Sequence, residues 1–350
     1  MTKPFPLLLL IVLCLAPVPL RAQEDTLTVV TYDSFAISEE VQDAFEEQSG
    51  VILEILRLAD VGVMVNQAIL SKDNPLGDVL YGIDNTFLSR ALNEDLFVPY
   101  GAEGLADIPE EFQLDPEFRV TPVTYGDVCL NYDVNYFEEN DLPLPESLEA
   151  LTMPDYEGLL VVQNPATSSP GLAFLLTTIA VFGEEGDYTY LDYWRDLIAN
   201  DVLIVEGWTE AYYTHFSAPG RDSGDRPLVV SYASSPPVEI YFADPAPETA
   251  PTGAIVADNT CFRQIESAGI LQGTDNLEAA QQFMDFLLSV TFQEDLPLQM
   301  YVFPVNPAAE LPDLFVEYAA VPEVAVTLPY EDIEANRERW IQEWTETILR

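Results

Sequence analysis

The sequence predicts an α/β protein of two lobes, and three observations support this fold class. Short apolar segments rich in Val, Ile and Leu alternate with segments of helical periodicity along most of the chain. A length of 350 residues, of which 48% are hydrophobic, supplies enough apolar surface for two cores. A proline-rich stretch at 244–252 predicts a surface loop, and the segments after it have the patterns needed to return the chain to its first lobe.

The first part of the chain predicts three strands, each followed by a helix. Apolar, β-branched segments predict the strands, and a 3.6-residue periodicity predicts the helices. The strands are expected at 27–31, 51–58 and 78–83, and the helices at 38–48, 61–70 and 86–97. Gly50 is placed to end the first helix. Because strands that alternate with helices usually pair in parallel, we expect a mostly parallel sheet.

The second part repeats this alternation and then changes character. Strands are predicted at 120–133, 158–163, 202–206 and 227–232, with an apolar helix at 171–183. An extended segment at 254–271 and helices at 276–290 and 331–349 complete the chain. We therefore expect lobe 1 at 23–120, lobe 2 at 121–255, a return to lobe 1 at 256–305 and a C-terminal helical segment at 306–350 that packs on the lobes.

The N-terminus predicts a secretory signal peptide at residues 1–22. A short polar start is followed by an apolar run at 4–19 and by Ala22, a small residue suited to cleavage. The alternative is a retained membrane anchor, for which the run is short. Acylation of Cys14 is a further alternative, although Leu13 precedes it where a small residue is normal. We expect an exported protein at the periplasmic or extracellular face of the membrane.

The net charge of the chain limits the classes of partner and ligand that it can bind. The formal net charge is −47, and removal of Lys3 and Arg21 with the signal peptide takes it to −49. Nucleic acid is excluded as a partner because phosphate contacts need clustered Lys and Arg. An acidic surface keeps an exported protein soluble, and it also attracts cationic ligands over long range.

Cysteine and histidine usage indicates a disulfide rather than a metal site. Cys129 and Cys261 remain after removal of the signal peptide, and an even pair in an oxidising compartment suggests one disulfide, with two buried free thiols as the alternative. His215 is the only histidine, so it cannot serve both a catalytic triad and a metal site. We expect no metal and no cofactor.

Candidate ligand-binding residues follow the predicted strands, since ligands of α/β sheets bind beyond the carboxyl ends of strands. Aromatic faces can hold a planar cation, and carboxylates can supply counter-charge. Core packing of single rings and ordinary turn chemistry of Asp are the alternatives. Hydroxyls ahead of Pro170 either cap a helix or bind an anion at its start. The candidates are Tyr32, Ser34, Asp84, Asn85, Ser168, Ser169, Trp208, Tyr232 and Tyr301.

Six segments together resemble a known family. They are TYDSF (31–35), GIDN (82–85), NPATSSPGL (164–172), EGWTEAY (206–212), SYASSP (231–236) and FPVN (303–306). In this order they resemble thiamine-binding proteins, the exported substrate-binding components of thiamine ABC transporters, over nearly the whole mature chain. The resemblance implies a type II periplasmic-binding-protein fold with a hinge between the lobes. It also implies thiamine in the cleft between them, an ABC permease as partner and a monomer.

The resemblance assigns roles to particular residues. It places ring-stacking positions on Tyr32, Trp208 and Tyr232 and a phosphate-facing serine on Ser168, so that the phosphates of thiamine are further candidate ligands. The chain departs from the family at two positions. Tyr301 stands where relatives carry a tryptophan, and Val238 stands where they can carry a tyrosine. One stacking face is then lost unless Tyr241 replaces it.

Two other functions remain as alternatives to a non-catalytic thiamine receptor. A receptor for a polyamine or another cation would also use acidic groups and aromatic walls. A thiaminase-like enzyme would resemble these receptors in fold and would need a nucleophilic cysteine, for which Cys129 is the candidate. Cys129 lies in the apolar segment DVCLNY, which favours a structural role.

Overall fold

The computed structural model describes residues 25–218 and 224–349 and has an α/β fold built on one large mixed sheet. The predicted signal peptide and Cys14 lie outside the described residues. Within the described residues, no helix combines the length and apolar character that crossing a membrane requires.

The first part of the chain forms the strands and helices that its sequence predicts, and it adds a short strand at Phe97–Val98, which was not predicted. Its elements are β1 (Thr26–Thr31), α1 (Glu39–Ser49), β2 (Ile52–Arg57), α2 (Val61–Leu70), β3 (Val79–Asp84), α3 (Leu88–Asn93) and β4 (Phe97–Val98). The Ser38 hydroxyl caps α1 by accepting from the Val41 N–H, and Gly50 ends it with a φ of 72°. Helix α3 ends earlier than predicted because Phe97 pairs with Leu271 instead of continuing the helix.

The second part contains four predicted strands and several elements that the sequence did not predict. Its elements are β5 (Thr121–Asp133), α4 (Val134–Glu139), β6 (Leu160–Gln163), α5 (Ser169–Phe182), α6 (Tyr190–Ala199), β7 (Leu203–Val205), α7 (Trp208–Glu210), β8 (Leu228–Tyr232), α8 (Pro236–Tyr241), β9 (Thr252–Ile255), β10 (Phe262–Leu271), α9 (Leu277–Leu287), α10 (Val290–Met300), β11 (Phe303–Pro304), α11 (Asp313–Tyr318) and α12 (Tyr330–Ile348). A π-helical turn (Ala211–His215) continues α7. Helix α10 was not predicted, and it contains Pro297, a residue that disfavours a helix interior.

The strand order of the sheet is β2-β1-β3-β10-β5-β8-β6-β7. Strand β1 pairs in parallel with β2 and β3, and β6 pairs in parallel with β7 and β8. Between these parallel halves, β10 and β5 are antiparallel to each other and to their outer neighbours. The predicted parallel pairing therefore holds within each half, and two long antiparallel strands join the halves.

Helices cover the sheet and form two main cores. One core contains residues of α1, α9 and α10, with the rings of Phe45 and Phe283 5.1 Å apart. The other contains residues of α2, α3, α5, α6 and α12. Helix α12 contacts both halves, because Trp344 packs on Trp194 of α6 at 5.4 Å and Arg337 donates to the Thr86 carbonyl at 3.3 Å. The lobe boundaries at 120/121 and 255/256 stay a prediction.

The predicted disulfide between Cys129 and Cys261 is confirmed. Cys129 lies in β5 and Cys261 immediately precedes β10, with a Cα–Cα distance of 4.4 Å. Both residues are buried, at 1% and 0% exposure. The bridge therefore joins the two strands that connect the parallel halves, and it leaves Cys129 without a free thiol.

Removal of this bridge should destabilise the fold. We expect replacement of both cysteines by alanine to lower the free energy of unfolding by about 2–4 kcal/mol, because the cross-link restricts the unfolded chain across a long loop. Urea denaturation with and without reductant measures the effect. Reductant should destabilise the wild type and leave the double variant unchanged, whereas equal stability of the two proteins without reductant contradicts the prediction.

Candidate functional site

The carboxyl ends of the two parallel halves face each other at the middle of the sheet. Strand β3 ends at Asp84, which pairs with Glu266 of β10, and Glu266 pairs with Thr124 of β5. Strand β8 ends at Tyr232, which pairs with Val128 of β5. Residues 124 to 128 of an extended strand span about 13 Å, so the two strand ends are offset by this distance along the direction of β5, and β10 and β5 lie between them across the sheet. A cleft of about 920 Å³, including its open mouth, lies there.

Most of the predicted site residues lie in the lining of this cleft. They are Tyr32, Ser34, Asp84, Ser169, Trp208, Tyr232 and Tyr301. Asn85 and Ser168 are outside the lining. The Asn85 amide donates to the Arg263 carbonyl at 3.1 Å and accepts from the Ile265 N–H at 3.1 Å, so it fastens β10. Ser168 is the fully buried residue that precedes α5.

Trp208 is fixed from several directions at the start of α7. Its backbone N–H donates to Asp60 Oδ2 at 2.9 Å, and its indole N–H donates to Ser231 Oγ at 2.9 Å. Its ring stacks on Tyr212 with centroids 4.7 Å apart and meets Tyr301 edge-on at 5.8 Å. Trp208 is 8% exposed, so it forms a rigid wall of the cleft.

Two tyrosines of the lining are tied to the middle of β10. The Tyr32 hydroxyl donates to Glu266 Oε1 at 2.7 Å, and the Tyr232 hydroxyl donates to Gln264 Oε1 at 2.7 Å. Residues 264 and 266 lie on the same face of β10 because side chains alternate along a strand. Thr124 Oγ1 also donates to Glu266, at 3.0 Å. These bonds hold two rings from different halves of the sheet over one floor.

The sequence analysis missed several residues of the lining, among them Asp60, Gln264, Glu266 and Phe242. Polar residues alternate at 264 and 266 within an apolar extended segment, and that pattern could have identified them. Tyr241, the expected replacement for a lost stacking face, is outside the lining, while its neighbour Phe242 is part of it. Val238 is 1% exposed and belongs to the core.

Three carboxyl groups give the cleft its electrostatic character. Burial raises the pKa of Asp60 to about 6, against the opposing effect of N–H groups of Trp208 and Val61. Burial likewise raises the pKa of Glu266 to about 7 and raises that of Asp84. No described residue of the lining is Lys, Arg or His. The cleft therefore favours a ligand that brings positive charge or N–H donors.

Comparison with known proteins identifies the family. Residues 74–322 match the family described as bacterial extracellular solute-binding protein. The thiamine-binding periplasmic protein of Salmonella typhimurium is 30% identical over 346 residues, which are 97% of this chain and 98% of that protein. The protein of the same name from Brucella suis is 27% identical over 340 residues, 95% of each chain. This chain belongs to the bacterial extracellular solute-binding proteins.

Solved structures agree with this assignment. A periplasmic thiamin binding protein has a TM-score of 0.81 and 28% identity over 93% of this chain and 96% of that one. A ferric binding protein from Campylobacter jejuni, with a TM-score of 0.71 and 17% identity over 92% of this chain and 99% of that one, shares the fold. The predicted periplasmic-binding-protein fold is confirmed. The family is described as extracellular and its relatives as periplasmic, which confirms the predicted export of this solute-binding protein.

Hydrogen bonds join the two walls of the cleft in this solute-binding protein. The Gly62 N–H at the start of α2 donates to the Thr167 carbonyl at 2.9 Å, and Ser169 Oγ donates to Asp84. A Cβ atom at Gly62 would lie 2.7 Å from the Ala166 carbonyl oxygen and 2.8 Å from that of Thr167. Only glycine permits this approach without a backbone shift.

A methyl group at this contact should open the cleft. We expect Gly62→Ala to increase the quenching of tryptophan fluorescence by acrylamide, because α2 must move away and uncover Trp208. Alanine suits a helix better than glycine does, so the fold should stay intact.

Gly101→Ala is the matched control, since a Cβ atom there has no heavy atom within 4 Å. It should leave quenching unchanged. Equal quenching of the two variants would show that the Gly62 contact does not hold the cleft closed.

Proposed function

We propose that this solute-binding protein is a non-catalytic receptor that captures thiamine in the cleft and delivers it to the permease of an ABC transporter. The observation that carries the proposal is the combination of three carboxyl groups with aromatic walls in a cleft whose described lining has no basic residue. Thiamine joins an aminopyrimidine ring to a thiazolium ring with a fixed positive charge. The names of the most similar relatives support the same ligand.

The dimensions and chemistry of the cleft suit such a ligand. The offset of about 13 Å between the strand ends along β5 leaves room for two linked rings. The faces of Tyr32, Trp208 and Tyr232 offer stacking surfaces, and a desolvated cation over such a face gains about 0.5–2 kcal/mol. The carboxyl groups of Asp84 and Glu266 can accept hydrogen bonds from an amine and balance the thiazolium charge.

A role for Ser168 in binding phosphate stays a prediction. Its hydroxyl is buried, and Ser169 donates its own hydroxyl to Asp84. A phosphorylated ligand would bring negative charge toward Asp60 and Asp84 unless its phosphate points to the mouth. Free thiamine is therefore the ligand that we propose first.

The alternative functions have less support. A thiaminase-like enzyme would need a thiolate, and the candidate Cys129 is buried in a disulfide. Polyamines carry positive charge but have no ring that could stack on the aromatic walls of the cleft. Among the described residues, no group of His, Cys, Asp and Glu side chains could hold a metal ion. We propose a monomer that binds no nucleic acid, in keeping with the net charge of −47.

The proposal is tested first by titration of thiamine and spermidine into wild-type protein and Trp208 variants. We expect Trp208→Ala to raise the Kd for thiamine about 5- to 150-fold, which corresponds to a stacking loss of about 1–3 kcal/mol. Trp208→Phe keeps an aromatic ring but removes the hydrogen bond to Ser231. Its Kd for thiamine should therefore rise less than that of Trp208→Ala. Calorimetry gives the Kd, and thermal unfolding checks the fold. Tighter binding of spermidine than of thiamine, or an unchanged Kd in a folded Trp208→Ala protein, would refute the proposal.

Thiamine affinity should also depend on pH through Glu266. In the empty protein this carboxyl group has a pKa of about 7, and a bound cation favours its ionised form. Lowering the pH from 8 to 6 should therefore raise the Kd about tenfold, as linkage predicts for one group that titrates at 7. Glu266→Gln should remove most of this change and leave the smaller part that Asp60 contributes, since Asp60 lies in the same lining with a pKa of about 6.

Glu343→Gln is the matched control, because Glu343 accepts from the Tyr190 hydroxyl at 2.7 Å on α12, outside the cleft lining. Its profile should follow the wild type. A slope as steep in Glu266→Gln as in the wild type would assign the pH dependence to another group.

A further inference from the structure

Phe242 has the most exposed aromatic ring in the described lining of the cleft. It is 61% exposed, compared with 44% for Tyr213 and 8% for Trp208. Its backbone N–H donates to the Val238 carbonyl at 3.1 Å, which fixes it as the last residue of the turn that ends α8. The ring therefore lies at the rim on a defined piece of backbone, with most of its surface in water.

The position of this ring along α8 follows from helix geometry. Val238 and Phe242 are four residues apart, so they lie on the same side of α8, about 6 Å apart along the axis. Val238 is 1% exposed and packs in the interior, whereas Phe242 reaches the mouth. An apolar stripe of α8 thus begins in the core and ends at the opening of the cleft.

Tyr241 provides a natural contrast. It is 47% exposed and touches Phe242 edge-on, with ring centroids 4.9 Å apart and planes at 75°. It is nevertheless outside the lining of the cleft. Tyr241 and Phe242 therefore lie at the same end of α8 with similar exposure, but only Phe242 faces the opening of the cleft.

We propose that Phe242 is a further ligand-contacting residue, a rim aromatic that covers the outer ring of the bound ligand. The proposal rests on the proposed function, in which the ligand has two flat rings. A phenyl ring has no polar group to satisfy, so it gains by leaving water for the face of another ring. The fixed walls Trp208 and Tyr232 hold the ligand from inside, and Phe242 closes the outer side.

This placement predicts a specific effect on ligand choice. A ring at the rim rewards a ligand whose outer end is flat and apolar on its faces. A flexible polyamine offers no flat ring to pair with Phe242, and only its ammonium groups can lie over the phenyl face. The loss of affinity on removing Phe242 should therefore be larger for thiamine than for spermidine.

Affinity measurements on three variants test the proposal. We expect Phe242→Ala to raise the Kd for thiamine about 2- to 12-fold, the range that an aromatic pair of about 0.5–1.5 kcal/mol gives. Phe242→Leu keeps apolar volume without an aromatic face and should fall between. Tyr241→Ala is the matched control and should stay within about twofold of the wild type, since aromatic pairing with the ligand is absent there.

Protection from alkylation gives a second measurement that does not depend on affinity. Cys129 and Cys261 are joined, so Phe242→Cys and Tyr241→Cys each add one reactive thiol to the described chain. Saturating thiamine should slow the reaction of maleimide with the cysteine at 242 and leave the cysteine at 241 unaffected. Equal rates with and without thiamine at 242, or equal protection at both positions, would overturn the proposal.

The outcomes separate the two levels of inference. If the wild type binds no thiamine, the proposed function and the role of Phe242 both fail. If the wild type binds thiamine while Phe242→Ala binds equally well and the cysteine at 242 is not protected, only the role of Phe242 fails. Loss of affinity in Phe242→Ala with protection at 242 alone supports both.

Discussion

The pairing of β5 with β10 is the constraint on which the rest of the structure depends. Each strand is antiparallel to its outer neighbour, so the two parallel halves point toward each other instead of in the same direction. Their carboxyl ends meet over Thr124 to Val128, and the polar residues of β10 become the floor between them. A single parallel sheet would have placed all of its strand ends at one edge. The antiparallel pair converts two such edges into opposite walls of one cleft.

The cleft is arranged at the expense of stability. A rise of the Asp60 pKa from 3.8 to about 6 corresponds to about 3 kcal/mol of unfavourable free energy for the ionised form. Because the folded-state pKa of this group and of Glu266 is raised, their contribution to stability is fully present below about pH 4 and is lost progressively as the pH rises from about 4 to about 7. At neutral pH the empty protein holds carboxylates without a described basic neighbour in the lining. A cationic ligand reduces the repulsion between these carboxylates. The groups that lower the stability of the empty protein therefore raise its affinity for the ligand.

Local patterns were enough to predict the longer strands, six of the twelve described α-helices and the strand-end residues. Trp208 and Tyr232 could be identified because they directly follow apolar strands, where a sheet opens to its ligand. Glu266 gives only the weaker signal of alternating polar residues in an apolar segment, because it lies in the middle of β10 and reaches the cleft through pairing with distant strands. Helix α10 was not predicted because it contains Pro297, a residue of very low helix propensity that tertiary packing tolerates here. Ser168 has the right neighbours in sequence, but it is fully buried ahead of α5 and outside the cleft lining, so its phosphate-binding role stays a prediction.

The position of β10 within the sheet has a consequence for the order of folding. Residues 262–271 occupy the place between β3 and β5, so neither half of the sheet can reach its final neighbours until this late segment arrives. Contacts between residues separated by more than 130 positions, such as Asp127 with Arg263, must then form together. Such high contact order slows folding, since the entropy of closing long loops is lost before the contacts compensate for it. The same inserted strand that shapes the cleft therefore delays completion of the sheet until residues 262–271 have joined it.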